Sequence, residues 1–326
     1  MSHASLVVPA YNVESTLGET IRSLLAQTHS DFEIIVVDDG SSDRTPQVAQ
    51  SFKDPRIQLV QQPNRGLAGA RNTGIAHARG RYIGFCDADD LWRPTKLAAH
   101  VAHLEARPEV GISYSGSLLV DAEGRATGLA QRPRLRDVTA AHVFKRNPIG
   151  NGSAAVIRRA ALDAIAYRPE GEQTRDWWFD ETFRQSEDIE CWMRMLLSTD
   201  WEIEGITGLL TRYRVAPGGL SSALNRQYVS WERMVEKLTP IAPTFMAQHV
   251  GAARAYQLRY LARRAVSAGD GPAALENMQG SIASSLRPFA EEPAKSMITL
   301  GAVCALAMFG TASIRFARRL VARRAA

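Results

Sequence analysis

The sequence predicts an α/β protein: a largely parallel sheet flanked by helices, with an α-helical extension at the C-terminal end. Three observations predict it. Short apolar runs alternate with helix-period segments through the first hundred residues, the pattern of right-handed βαβ units. Polar clusters stand at the carboxyl end of each apolar run, where parallel sheets bind ligands. Beyond about Tyr228 the pattern is helical alone.

The first strand is predicted over Ser5–Pro9, ending in Ala10-Tyr11-Asn12, and Leu17, Ile21, Leu24 and Leu25 recur at helical spacing within a helix over 14–27. Phe32–Val37 is a continuous apolar run, the signature of a strand buried on both faces. It ends in Asp38-Asp39-Gly40-Ser41-Ser42-Asp43, whose Ser and Asp side chains suit the cap of a helix over 44–52. A strand over 57–60 leads through Asn64-Arg65-Gly66 into a small-residue helix, 67–78. A fourth strand from Tyr82 runs into Asp87-Ala88-Asp89-Asp90, and a helix opened by Pro94 follows. Further on come a strand over 111–114, a hairpin over 118–128 turning at Asp121–Gly124, a short helix over 140–144 and a strand over 154–157. Ser186 is placed to cap a helix running through Leu197, with Glu187 and Asp188 in its first turn, where the helix dipole favours acids.

At 326 residues, with 45% hydrophobic and 22% charged residues, the chain has the composition of an ordinary globular protein able to bury a sizeable core. Net charge is +5, but the basic excess gathers at the C-terminal end while the Asp87 region is acidic, which argues against a nucleic-acid groove. Three widely spaced cysteines without a Cys-x-x-Cys pair fit a reducing compartment and neither a disulfide framework nor a structural zinc site. Ser5–Pro9 is too short for the apolar core of a secretory signal.

Three carboxylates crowded after one strand, at Asp87, Asp89 and Asp90, repel one another. A hard divalent cation bridging carboxylate to substrate phosphate would relieve them; a solvated acidic turn capping the next helix is the alternative. Polar clusters at four strand ends, Tyr11-Asn12, Asp38-Asp39, Asn64-Arg65 and Asp87–Asp89, favour the binding site.

Pro9-Ala10-Tyr11-Asn12, Val37–Asp43 with Thr45, Asn64-Arg65-Gly66 with Gly69-Ala70-Arg71-Asn72, Asp87-Ala88-Asp89-Asp90 and Ser186-Glu187-Asp188 occur in this order. The ordered set resembles the family 2 glycosyltransferases, which use the GT-A fold, over roughly residues 3–222. The resemblance implies that Pro9, Tyr11, Asn12 and Asp39 lie against the nucleobase and ribose, that Arg71 sits near the nucleotide, and that Asp87 approaches the ribose. It implies Asp89 as ligand of Mn²⁺ or Mg²⁺ on the pyrophosphate, and Asp188 as general base, with Glu187 beside it in the catalytic pair. The activity implied is inverting transfer of a sugar from a nucleotide-sugar, a UDP-sugar, to a polysaccharide or lipid-linked acceptor. The Gln-x-x-Arg-Trp string of processive relatives is absent, which favours one sugar per acceptor. The segment Arg212–Gly219 lacks the His of many relatives, leaving Arg212 and Arg214 either as phosphate contacts or as surface arginines. A phosphatase-like use of Asp-x-Asp is disfavoured, because that motif follows a first strand and here it follows the fourth. A non-catalytic sugar-nucleotide-binding scaffold of the same fold is the other alternative; intact Asp89 and Asp188 argue against it.

The domain expectation is a catalytic domain over 1–222, a helical extension over 223–292 and an apolar-plus-basic helix over 293–326. Residues 252–287 have the pattern of a helical hairpin around Gly269-Asp270-Gly271, which must pack on another surface to bury its face. Ser296–Ile314 is 19 uncharged residues, borderline for a membrane span. Arg315, Arg318, Arg319, Arg323 and Arg324 follow. A span with these arginines inside would put the catalytic domain outside, away from cytoplasmic sugar nucleotides. The expectation is therefore a cytoplasmic protein, peripheral on the inner-membrane surface, with a buried helix and soluble tail as the alternative.

Overall fold

The computed structural model describes residues 4–215 and 224–312. The boundary at 222–223 and the arginines from Arg315 onward lie outside the described residues. The chain divides into two compact units, Met1–Val143 with Asn147–Ser222, and Phe144–Arg146 with Ala223–Ala326.

The first unit begins β1 (Ala4–Ala10), α1 (Leu17–Leu25), β2 (Phe32–Asp38), α2 (Thr45–Ser51), β3 (Ile57–Gln61), α3 (Gly66–His77) and β4 (Tyr82–Phe85). These strands stand in the order β3-β2-β1-β4, all parallel. Both faces of β1 and β2 are buried, which is why these strands are apolar at successive positions instead of alternating. The small residues of α3 allow close approach to the sheet: a Cβ on Gly74 would lie 2.2 Å from Val7 Cγ1.

The sheet continues through β5 (Leu91–Trp92), α4 (Lys96–Ala106), β6 (Val110–Val120), β7 (Ala126–Gln131), α5 (Ala140–Lys145), β8 (Ala155–Arg158), α6 (Arg159–Asp163), α7 (Glu187–Ser198) and β9 (Glu202–Arg214). Its full order is β3-β2-β1-β4-β8-β6-β9-β5, with β7 on β6. Here pairing is mixed: β8 runs antiparallel to both β4 and β6, while β6 and β9 are parallel. The parallel half is the part whose strand–helix alternation is legible locally. The second half is paired by strands distant in sequence, so its direction follows from tertiary register. Residues 118–131 form the hairpin expected, with Gly124 at φ 79° and Asp121 Oδ1 accepting the Arg125 N–H at 2.8 Å.

The second unit contains α8 (Leu224–Leu238), α9 (Pro243–Ala268), α10 (Gly271–Ser284), α11 (Arg287–Glu291) and α12 (Pro293–Phe309). The hairpin turns at Gly269, φ 80°, and Asp270 caps α10 by accepting the Ala273 N–H. Its buried face is shared with α12 through Ala262, Ala265, Ala274, Met278, Val303 and Leu306. Among the described residues no helix is long and apolar enough to cross a membrane.

Candidate active site

Four parallel strands end side by side, and the loops beyond them carry the residues singled out from the sequence. Pro9 is buried in β1; Tyr11 follows, 53% exposed. Asn12 adopts φ 52°, a left-handed conformation that Asn tolerates better than most residues. From there its N–H donates to Ser41 Oγ at 3.0 Å and its Oδ1 accepts the Ser42 N–H at 2.8 Å, joining the β1 and β2 loops.

Asp39 is buried and its carboxylate is occupied. Oδ1 accepts from Arg65 N (2.8 Å) and Gln62 Nε2 (2.6 Å), and Oδ2 from Gly66 N (2.8 Å). It therefore shapes the loop entering α3, where Gly66 has φ 78°.

Arg71 is the hub of the site. Its buried guanidinium donates from Nη1 to Glu187 Oε1 at 2.8 Å and from Nη2 to Asp87 Oδ1 at 3.1 Å. It lies over the rings of Phe85 and Phe179, 5.9 and 5.5 Å from their centroids. Burial acts to lower its pKa, but Asp87, Glu187 and Asp188 prevail and raise it, so the charge is permanent. Gly152 makes room: a Cβ there would stand 2.2 Å from Arg71 Nη2. The neighbouring Ser153 Oγ accepts the Asp87 N–H at 2.9 Å.

The segment after β4 is a turn closed by the Asp90 N–H on Asp87 O at 2.9 Å. Asp87 and Asp89 are partly exposed, whereas Ala88 and Asp90 are buried. Burial and the charge of Asp87 lift the Asp89 carboxyl to about 6, against the pull of Arg214. Burial, then Asp87 and Asp89, push Asp90 well above the usual range. Asp90 neither caps a helix nor faces solvent. Its Oδ1 accepts the Arg214 N–H at 2.9 Å, and its Oδ2 has no hydrogen-bond partner.

Three side chains hold this turn; sequence reasoning missed the roles of Thr20 and Ser153 and placed Arg214 on phosphate or on the surface. Thr20 Oγ1, on α1, reaches the carbonyls of Ala88 and Asp90, each at 2.9 Å. Arg214 donates from Nε to Asp89 O (2.8 Å) and from Nη2 to Glu19 (3.0 Å). Ser153 is the third. Arg214 is buried, and Arg212 Nη2 is bound to Gly124 O; both belong to β9, so neither is a loose surface arginine. Only long-range pairing brings these residues to the turn, and a local motif does not reveal it.

Asn72 fastens the approach to α7. Its Oδ1 accepts from Trp178 N (3.1 Å) and Phe179 N (2.8 Å), and its Nδ2 donates to Phe179 O (2.7 Å) and Glu181 Oε1 (2.9 Å). Ser186 occupies the N-cap position, at φ 63°, but its side chain makes no capping bond. Asp188 Oδ1 instead accepts the Ile189 N–H at 2.8 Å. Burial, opposed by Arg71 and aided by Asp188, pushes Glu187 up to about 7, and burial raises Asp188 too. Asp188 remains partly exposed. It is a carboxylate with raised proton affinity and access to solvent, as a general base working near neutral pH requires.

A divalent cation fits this donor set. Among the described residues no group of three or more His, Cys, Asp or Glu forms a metal cage. Mg²⁺ and Mn²⁺ in nucleotide sites are held by one or two carboxylates, with phosphates and water completing the shell. Asp89, partly exposed and lifted by burial and by the charge of Asp87, would supply a carboxylate of that kind.

The family model "Glycosyl transferase family 2" matches residues 5–166. The chain is 54% identical over 88 residues to the uncharacterized glycosyltransferase EpsJ of Bacillus subtilis, a match spanning only 26% of each protein. It is 29% identical over 219 residues, 67% of this chain and 79% of the relative, to the Escherichia coli UDP-Glc:alpha-D-GlcNAc-diphosphoundecaprenol beta-1,3-glucosyltransferase WfgD. Its fold matches the crystal structure of S. aureus TarS 1-349 in complex with UDP-GlcNAc at a TM-score of 0.61 and 20% identity, covering 92% of this chain and 89% of that one.

Proposed function

The chain belongs to glycosyl transferase family 2, and from that premise we propose that it moves one sugar at a time from a UDP-sugar to a polysaccharide or lipid-linked acceptor, with inversion. The observation that carries this reading is the Arg71 bridge between Asp87 and Glu187. It joins a donor-side acidic turn and an acceptor-side acidic helix start into one cluster. The donor and acceptor classes are supported by the name of WfgD, which specifies UDP-Glc and a diphosphoundecaprenol-linked GlcNAc.

In this reading the loops of Pro9, Tyr11 and Asn12 face the nucleotide, Asp39 shapes their neighbour loop, and Asp87 reaches the ribose. Arg71 acts on the nucleotide through Asp87 and keeps Glu187 against the same hub. Asp89 would hold Mn²⁺ or Mg²⁺, whose charge offsets that developing on the departing diphosphate. Asp188 takes the acceptor hydroxyl proton on Oδ2, its Oδ1 being held by Ile189 N, as the hydroxyl attacks the anomeric carbon. One displacement with one base inverts that centre, and no carboxylate nucleophile is required. Residues 1–222 form the catalytic domain, 223–292 the helical extension and 293–326 the apolar and basic end. The protein works in the cytoplasm, where sugar nucleotides are, at the membrane face where a lipid-linked acceptor is presented.

A panel of nucleotide-sugars with Mn²⁺ or Mg²⁺, scored for nucleoside diphosphate release, tests the assignment. Asp188→Asn is expected to keep donor affinity and lose about 10²–10⁴ in kcat, whereas Asp89→Ala is expected to lose metal-dependent donor binding. Full transfer by Asp188→Asn overturns the base, and metal-dependent binding at wild-type affinity in Asp89→Ala overturns the ligand.

A further inference from the structure

Helix α12 is inside out. Its buried positions are Ser296, Thr299, Val303 and Leu306, two of them polar, while Met297, Ile298, Met308 and Phe309 are 58%, 73%, 68% and 67% exposed. At 100° per residue, Met297, Gly301, Cys304 and Met308 fall in one row, with Ile298 and Phe309 on one flank. A helix folded only against water and its own core would turn its larger apolar side chains inward. Ser296 is instead tied inward by Arg259 Nη1, which donates to its Oγ, and by its own bond to Pro288 O at 2.6 Å. Arg259 also pairs with Glu292. This buried polar lock sets the rotation of α12 and leaves its apolar row outside.

Charge identifies what covers that row. From Pro293 to Ala326 the sequence has six cations, Lys295 and five arginines, and no acidic residue. Five of the six follow α12 within the last twelve residues of the sequence. A second copy of the chain seated on this face would bring two such cationic segments together. A surface of anionic phospholipid accepts both features, apolar side chains at the level of the acyl chains and guanidinium groups among the headgroups.

We propose that α12 is a membrane-contact helix whose Met297–Phe309 face lies in the surface of a bilayer containing anionic lipid. This rests on and deepens the membrane-face part of the proposed function, and its failure is distinguishable from failure of the transferase reading because binding is measured without donor or acceptor. Full-length protein is co-sedimented with phosphatidylcholine vesicles with and without phosphatidylglycerol, and compared with Ile298→Asp/Met308→Asp. Both substituted positions are exposed, so an unchanged thermal melt is expected. Wild type is expected on the anionic vesicles, released by high salt, and the variant is expected to bind at least about tenfold more weakly. Absence of wild-type binding, equal binding to both vesicle types, or undiminished binding by the variant overturns the proposal. So does a variant that only converts a dimer to a monomer, which assigns the face to a second copy.

Discussion

The two acidic clusters of the site are built from the same side chains and differ in how their charge is met. In the first turn of α7, Glu187 is paired with a buried guanidinium, Arg71, at 2.8 Å. In the turn after β4, the arginine that arrives, Arg214, spends its Nε on the Asp89 carbonyl and its backbone N–H on Asp90. Among the described residues no guanidinium contact to the Asp89 carboxylate accompanies them, although Arg71 Nη2 reaches Asp87 in the same turn at 3.1 Å. The α7 acids and Asp87 are thus neutralised by one buried arginine. Asp89 is held in shape without such a direct pair, the state that suits a ligand cation.

Breaking the neutralised cluster has the largest expected effect. Arg71→Met leaves Glu187 and Asp87 as carboxylates without their cation, and removing one member of a buried pair costs about 3–5 kcal/mol. Chemical denaturation is expected to show that loss, and Arg71→Met/Glu187→Met is expected to recover part of it. A double variant as unstable as the summed singles would mean that the bridge is not the source.

Gly152→Ala is milder. Its Cβ, 2.2 Å from Arg71 Nη2, must displace a clamped side chain at a cost of about 1–3 kcal/mol. Kcat is expected to fall more than stability, because the hub moves while the core stays packed. A variant with wild-type kcat and melting temperature would show that Arg71 accommodates the methyl.

The smallest effect is the pH dependence. The Glu187–Asp188 pair binds a proton more readily than free carboxylates do, Glu187 being lifted from 4.5 to about 7. Burial raises the Asp188 carboxyl, so transfer is expected to decline as pH falls at a limb above the one an ordinary aspartate gives near pH 4. The stability contribution of Glu187 has the opposite sign. Its folded pKa exceeds the unfolded value, so that contribution is full below about 4.5 and is lost as pH rises through about 7. A pH–rate profile whose acid limb lies at or below that of an ordinary aspartate would remove Asp188 as the base.

Much of the parallel half was legible. Leu6–Val8 and Phe32–Val37 are apolar at consecutive positions, and that density is a local property of a doubly buried strand. The crowding of Asp87, Asp89 and Asp90 was legible as an acidic turn, while the bond of the Asp90 N–H to Asp87 O and the pairing with β9 decided which carboxylate is buried. The mixed half was legible only in pieces. Strand β6 reads as a short run and the start of a hairpin, because partly exposed Leu118 and Leu119 near its end carry no period that joins them to Gly111–Tyr114. The roles of Thr20 and Ser153 had no signal, and Arg214 was singled out without its role, since each acts on a turn dozens of residues or more away in sequence.

By itself the sequence determined the order of the elements in the parallel half and the places where polar and acidic clusters end its strands, because periodicity, turn chemistry and charge crowding act between near neighbours. Only the tertiary structure decided what each acid faces. It spent Asp39 on a loop and Arg71 on two carboxylates, bound Asp90 to β9, gave the Asp89 carboxylate no direct ion pair among the described residues, and turned the apolar row of α12 outward. Those outcomes depend on which distant strand or helix supplies the partner, and a buried charge is defined by its partner more than by its own residue type.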